Sequence, residues 1–329
     1  MRLRLRPVVP ALLLLCSACL DFGPEPGPPL PTVDGPEAPE LLQGTSGTLV
    51  TVDREDDAHL RIYRLPSLER RVIDVVGCAL CISGPDSAGR VVYIQTHYDE
   101  GDSRYALRCV SLVDGSDVRL LSREGRLASS SWVALSPTGG RAALTSAIED
   151  DGHYTPWVLD VVDIASGHVT RISGAIAQHQ PCWFPDGRRL AFVEWRSEDR
   201  ISITSVLDVV SGERKVVREA PERELFTVSA DGDSLFFEDA TQLRRVDARS
   251  DAVVESDLHL PGGGAQLIHL AGHDFLYQGL PTTGVEQRLR AGFMWPHDIK
   301  LGDARSGAFV TVVPRLWGMA SYGSFETAR

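Results

Sequence analysis

Carboxylates crowd together with aromatic rings and histidine in four short stretches: Asp53-Arg54-Glu55-Asp56-Asp57, Tyr98-Asp99-Glu100-Gly101-Asp102, Glu149-Asp150-Asp151-Gly152-His153-Tyr154 and Glu194-Trp195-Arg196-Ser197-Glu198-Asp199. Such sets can dock a basic or cationic partner, because carboxylates attract it and ring faces hold it. Their hard oxygens can also take Ca²⁺. The residues singled out as a binding face are Asp56, Asp57, His97, Tyr98, Asp99, Asp150, Asp151, His153, Tyr154 and Trp195, with Trp157 nearby. His59 and His179 fall in the same predicted loops, and histidines converging with carboxylates near an axis could hold a catalytic metal. Solvated hairpin tips are the plainer account, since none of the four stretches reproduces a continuous calcium-binding loop. No cofactor other than Ca²⁺ is suggested. The chain has no Gly-x-Ser-x-Gly elbow, no His-Glu-x-x-His and no phosphate-cradling glycine loop, so no catalytic residue is assigned.

Four cysteines beyond the first twenty residues are the other reactive groups: Cys78, Cys81, Cys109 and Cys182. In an oxidising compartment a bridge from Cys109 to Cys78 or Cys81 is expected, with buried free thiols as the alternative. The Cys78-x-x-Cys81 spacing also allows metal or redox chemistry, although no second pair accompanies it. Cys182 has no evident partner.

Arg2, Arg4 and Arg6 followed by the apolar run Ala11 to Leu15 read as an export leader too short to span a bilayer. Leu15-Cys16-Ser17-Ala18-Cys19 then places small residues before a cysteine, as at a bacterial lipoprotein cleavage site, so Cys19 is the expected lipid-bearing residue. An ordinary signal peptide with release into the periplasm is the alternative. Prolines at 24, 26, 28, 29, 31, 36 and 39 make the next segment an extended tether, at about 3.1 Å per residue long enough to hold a domain on the order of 60 Å from a membrane. The expected organisation is a leader over 1–18, lipidated cysteine and tether over 19–40, and one folded domain over 41–329. That arrangement places the protein in a bacterial envelope, lipid-anchored and facing the periplasm, with inner against outer membrane open. A net charge of -12 argues against nucleic acid or an anionic lipid surface as partner.

The elements that must position these loops come from a repeat. Ser136-Pro137-Thr138-Gly139, Phe184-Pro185-Asp186-Gly187 and Ser229-Ala230-Asp231-Gly232 each separate two apolar runs, with weaker versions at Gly44 to Val50, Ser83 to Tyr93 and Leu270 to Tyr277. A second turn alternates with it: Asp163-Ile164-Ala165-Ser166-Gly167, Asp208-Val209-Val210-Ser211-Gly212 and Asp303-Ala304-Arg305-Ser306-Gly307. Looser copies lie at Tyr63 to Val72, Val110 to Leu120 and Val246 to Val254. Asp suits such corners by bonding its own downstream backbone, and Gly by accepting positive φ. Strict alternation of two hairpin types at a period of roughly 45 residues predicts an all-β, six-bladed β-propeller of four-stranded antiparallel blades, with seven blades as the alternative. The tail around Leu316 to Tyr322 is expected to pair with the first blade and close the ring. Both turn types then lie on one face, and the acidic loops between second and third strands on the other.

The Phe184-Pro185-Asp186-Gly187 and Ser229-Ala230-Asp231-Gly232 turns, each followed by a Leu-aromatic strand, resemble the repeats of TolB-like β-propellers. Thr138-Gly139 departs from that pattern, and the α/β domain that precedes the propeller in TolB has no counterpart beyond the tether. The resemblance implies an envelope interaction module. Together with the anchor it yields a non-catalytic, membrane-anchored scaffold that binds an envelope protein or peptide. The alternative is a propeller enzyme, a lyase or hydrolase, using a metal near the central axis.

Overall fold

The computed structural model describes residues 38–53, 56–96, 104–124, 126–127, 131–150, 153–154, 157–173, 180–196, 198–221, 226–229, 231–239, 242–250, 252–259, 266–271, 274–279, 297–303, 306, 308–316 and 318–323. The leader, Cys19 and most of the tether lie outside them.

A short 3-10 turn (Pro39–Gly44) leads into β1 (Gly47–Asp53), β2 (Asp56–Leu65) and β3 (Glu69–Asp74) of a first sheet. The second sheet is β4 (Cys78–Ile82), β5 (Arg90–Thr96), β6 (Arg104–Ser111) and β7 (Asp117–Glu124). After β8 (Arg126–Leu127), the third sheet starts with β9 (Trp132–Leu135) and β10 (Arg141–Ser146). The pair β11 (Ile148–Asp150) and β12 (His153–Tyr154) intervenes before β13 (Val158–Asp163) and β14 (Val169–Ser173) complete it. The fourth sheet is β15 (Cys182–Trp183), β16 (Arg189–Arg196), β17 (Ile201–Asp208) and β18 (Arg214–Ala220). The fifth is β19 (Phe226–Val228), β20 (Ser234–Asp239), β21 (Gln242–Asp247) and β22 (Val253–His259). The sixth is β23 (Gln266–Ala271), β24 (Asp274–Gly279), β25 (His297–Asp303) and β26 (Phe309–Leu316). A final strand, β27 (Gly318–Gly323), returns to the first sheet, whose order is β27-β1-β2-β3.

Among the described residues these make six four-stranded antiparallel sheets, and their first strands touch one another in the order β27, β4, β9, β15, β19, β23 and back to β27. The architecture is an all-β propeller of four-stranded blades. No seventh four-stranded sheet occurs among the described residues. The strands left over, β8, β11 and β12, form a three-stranded ribbon between the exit of the second sheet and the third.

Burial follows position in the blade. The second strand has neighbours on both faces, and β5 is buried from Val91 through Thr96. The fourth strand rims the ring, and β3 buries only Ile73. Apolar side chains facing across adjacent sheets form the core: Val92, Ile94, Leu107 and Cys109 of the second sheet meet Val133, Leu135, Ala142 and Leu144 of the third.

Turn chemistry runs in two registers. Between third and fourth strands the aspartate caps its own corner: Asp208 Oδ1 accepts the backbone N–H of Val210 (2.9 Å) and Ser211 (3.0 Å), and Asp163 Oδ1 accepts the N–H (2.9 Å) and hydroxyl (2.8 Å) of Ser166. Between first and second strands the turns also bind across blades. Asp86 accepts the N–H groups of Ala88 and Arg90 while holding the Arg90 guanidinium, whose Nη2 donates to the Gly139 carbonyl of the next turn (3.0 Å). Asp186 and Arg189 repeat this, with Arg189 Nη2 reaching the Gly232 carbonyl at 3.1 Å. Gly139 and Gly187 have φ of +70° and +63°, and a side chain on either would run into the preceding turn: Asp86 and Arg90 at the first, Thr138 at the second.

Three expectations are corrected here. Gly44 to Val50 is not a hairpin corner, because β1 is the second strand of its sheet and β27 supplies the first; pairing runs from Thr48 opposite Gly323 to Asp53 opposite Gly318. The seven-blade alternative finds no seventh four-stranded sheet among the described residues. Ala38 is buried and donates its N–H to Phe309 O (2.7 Å). The disulfide is absent, with Cys81 and Cys109 as free thiols. Cys78 and Cys81 lie on β4 and Cys109 on β6, with β5 between them. Two strand spacings are roughly 9–10 Å, beyond the ~4.4–6.8 Å Cα separation that a disulfide spans.

Candidate functional site

The two faces of the ring differ in how completely their polar groups are paired. On the turn face the aspartates and arginines just described satisfy one another and the backbone. The opposite face carries the loops between second and third strands and the connections between sheets. Among the described residues four buried polar atoms have no hydrogen-bond partner: Thr51 Oγ1, Thr96 Oγ1, Trp132 Nε1 and Ser202 Oγ. All four lie toward the loop face. Thr51 is near the end of β1, Thr96 ends β5, Ser202 is second in β17, and Trp132 opens β9.

The sequence-derived face residues sort unevenly. Asp56 pairs with Asp53 where β1 turns into β2, and Asp57 follows it on β2. Asp150 and His153 are cross-strand partners in the ribbon, with Glu149 opposite Tyr154. His97, Tyr98, Asp99 and Asp151 lie outside the described residues, as does His179. Trp195 sits on β16 opposite Ser202 and packs, half-buried, against the core between the fourth and fifth sheets. Trp157 likewise packs against a core cluster. His59 is on strand β2 rather than in a loop, its Nε2 3.1 Å from Asp74 across the sheet.

Acidity in the fourth-blade loop is compensated locally. Arg196 pairs with Asp199 (2.8 Å) and Glu219 (3.7 Å), and Glu194 accepts the Ser173 hydroxyl (2.6 Å) and pairs with Arg214. The Arg196 hydrogen bond holds the Asp199 carboxyl below its ordinary range. These side chains pair with one another. Among the described residues no group of three histidines, cysteines or carboxylates is placed to hold a metal.

Sequence reasoning missed the buried ionic group beside this face. Asp160 on β13 is fully buried and accepts Arg123 Nη1 from β7 of the second sheet (2.9 Å) and the Arg171 guanidinium from β14. An Asp set between Leu159 and Val161 in a strand was the available signal, because an apolar strand interior tolerates a carboxylate only when cations reach it. Burial pushes the Cys81 and Cys182 thiols up to about 12 and Cys109 to about 11, far from a reactive thiolate.

No protein-family model and no curated protein matches the chain. Solved structures do. TolB from Acinetobacter baumannii aligns over 84% of this chain and 66% of that one, with a TM-score of 0.59 at 15% identity. The fold is that of a TolB-like β-propeller. A TolB-type protein from Agrobacterium tumefaciens agrees over 85% of this chain and 99% of that one (TM-score 0.51, 13% identity). A chain of the nidogen/laminin complex agrees over 85% and 100% (TM-score 0.56, 12% identity). At such identities the likeness fixes the fold of this TolB-like propeller, while its chemistry rests on its own residues.

Proposed function

We propose that the six four-stranded sheets form a six-bladed, non-catalytic scaffold that binds an envelope protein or peptide on its loop face. The carrying observation is the one-sided distribution of unpaired buried polar atoms, from Thr51 to Ser202, opposite a turn face whose aspartates and arginines are mutually satisfied. A chain of this fold in a nidogen/laminin complex supports the reading, since it is seen there in an assembly with another protein. Lipidation at Cys19 and the proline-rich tether would hold that face away from a membrane.

The test is capture of partners from detergent-solubilised envelopes by the purified protein. Trp195→Ala, on the loop face, should release a captured partner, whereas Arg188→Ala, on the turn face, should retain it. Release by the turn-face change alone, or no saturable partner at all, refutes the reading. Incorporation of labelled palmitate that disappears in Cys19→Ala checks the anchor independently.

A further inference from the structure

We propose that the outer edge of the fifth sheet, strand β22 (Val253–His259), takes up an extended basic segment of a protein partner as an added strand. This surface is on the rim of the ring, apart from the loop face, and so goes beyond the reading above. β22 pairs on one side with β21, from Gln242 opposite His259 to Val246 opposite Val253. Among the described residues no strand pairs with its other side. Such an edge presents a row of backbone N–H and C=O groups, and an extended peptide can pair with that row.

Every four-stranded sheet ends in an outer strand, and these strands differ in how they are guarded. Lysine, arginine and proline at an edge discourage the addition of a strand. β3, β7, β14 and β18 each carry arginine, and β26 carries Pro314 and Arg315. β22 reads Val253-Val254-Glu255-Ser256-Asp257-Leu258-His259 and has none of the three residue types. It opens on two consecutive exposed valines, at 54% and 56%. Valine favours the extended backbone that strand pairing needs and offers an added strand apolar contact. Charge then selects the occupant. Opposite charges across a strand pair stabilise it, whereas like charges oppose it. A second copy of this edge would bring carboxylates against Glu255 and Asp257, so the strand is a poor partner for itself. A segment alternating valine with lysine or arginine complements both the valines and the carboxylates.

The test titrates two fluorescein-labelled peptide amides, Lys-Val-Lys-Val-Lys-Val and Glu-Val-Glu-Val-Glu-Val, against the whole protein and follows anisotropy. The lysine peptide should bind saturably and roughly fivefold or more tighter than the glutamate peptide. Val253→Lys together with Val254→Lys, at exposed positions that tolerate the change, should abolish saturable binding. Glu255→Lys together with Asp257→Lys should reverse the preference, so that the glutamate peptide binds tighter. A diffuse attraction of cations to the acidic chain would survive the valine changes. Equal binding of the two peptides, binding that survives the valine changes, or a preference that does not reverse overturns the edge site. Binding lost in Trp195→Ala but kept in the valine variant belongs to the loop face; it overturns the edge site and leaves the loop-face reading standing. Sedimentation that shows dimers of the parent, abolished by the valine changes, would assign the edge to a second copy and overturn the proposal.

Discussion

Replacing Gly187 and Gly212 separately by alanine isolates what one blade contributes to holding the next. Both glycines have left-handed φ, +63° and +75°, and both donate their N–H to a turn carbonyl, at 2.9 Å to Phe184 and 2.8 Å to Asp208. Forcing alanine into that backbone costs about 1 kcal/mol at each position. Gly212 has nothing within 4 Å of an added Cβ, so the backbone cost is the whole effect there. At Gly187 the Cβ would strike the Thr138 hydroxyl and lie 2.7 Å from Thr138 Cγ2 of the neighbouring turn. Overpacking of that kind adds about 1–3 kcal/mol. We expect Gly212→Ala to lose about 1 kcal/mol in urea titration and Gly187→Ala about 2–4 kcal/mol. Thr138→Ala removes the hydroxyl and methyl and leaves only Cβ at 3.1 Å, so the double variant should recover most of the excess at Gly187. Equal losses for the two glycines, or no relief from Thr138→Ala, would refute the inter-blade account.

Acidification should erode stability from about pH 4 downward. Ser116 N–H bonding lowers Asp114 to about 2, and bonds to backbone N–H, led by Ser166, Ser211 and Arg249 respectively, lower Asp163, Asp208 and Asp247. A carboxyl depressed in the folded state stabilises above its unfolded value near 3.9 and loses that contribution as pH falls through the folded value; urea midpoints that stay flat between pH 5 and 2 would contradict this. Asp160→Asn should cost about 3–5 kcal/mol by leaving Arg123 and Arg171 without their carboxylate, measured by the same titration; a loss under 1 kcal/mol would show that solvent already serves those arginines. Cys81 and Cys109 should resist a thiol reagent in the native protein and react on unfolding, and rapid native labelling at Cys81 would contradict the burial seen.

Features encoded by local chemistry were legible in the sequence. Asp208 and Asp163 cap their own corners within three residues, so the turns, their alternation and the sorting of loops to one face follow from short-range pattern. Features that depend on which strand stands beside which were not. Cys78, Cys81 and Cys109 suit a disulfide by spacing, but β5 separates them. Gly44 resembles a corner, yet its hairpin partner is replaced by a strand from the far end of the chain. The Arg90 and Arg189 links need the neighbouring turn to exist before they have an acceptor. In the candidate site, composition pointed to the loop face, and Arg196 and Arg214 then neutralise part of its acidity. The unpaired Thr96 hydroxyl carries no sequence signal, since orphaning is a property of surroundings rather than residue type.

The pairing of β27 with β1 also sets an order of events. While the chain emerges from a ribosome or an export channel, β1 presents a bare row of backbone N–H and C=O groups through the synthesis of the other five sheets, and only β27 can cover it. The protein is thus unable to finish folding in instalments. A chain cut short before Gly318 keeps one adhesive edge, which marks it for proteolysis or aggregation, and a chain that reaches Gly323 seals itself.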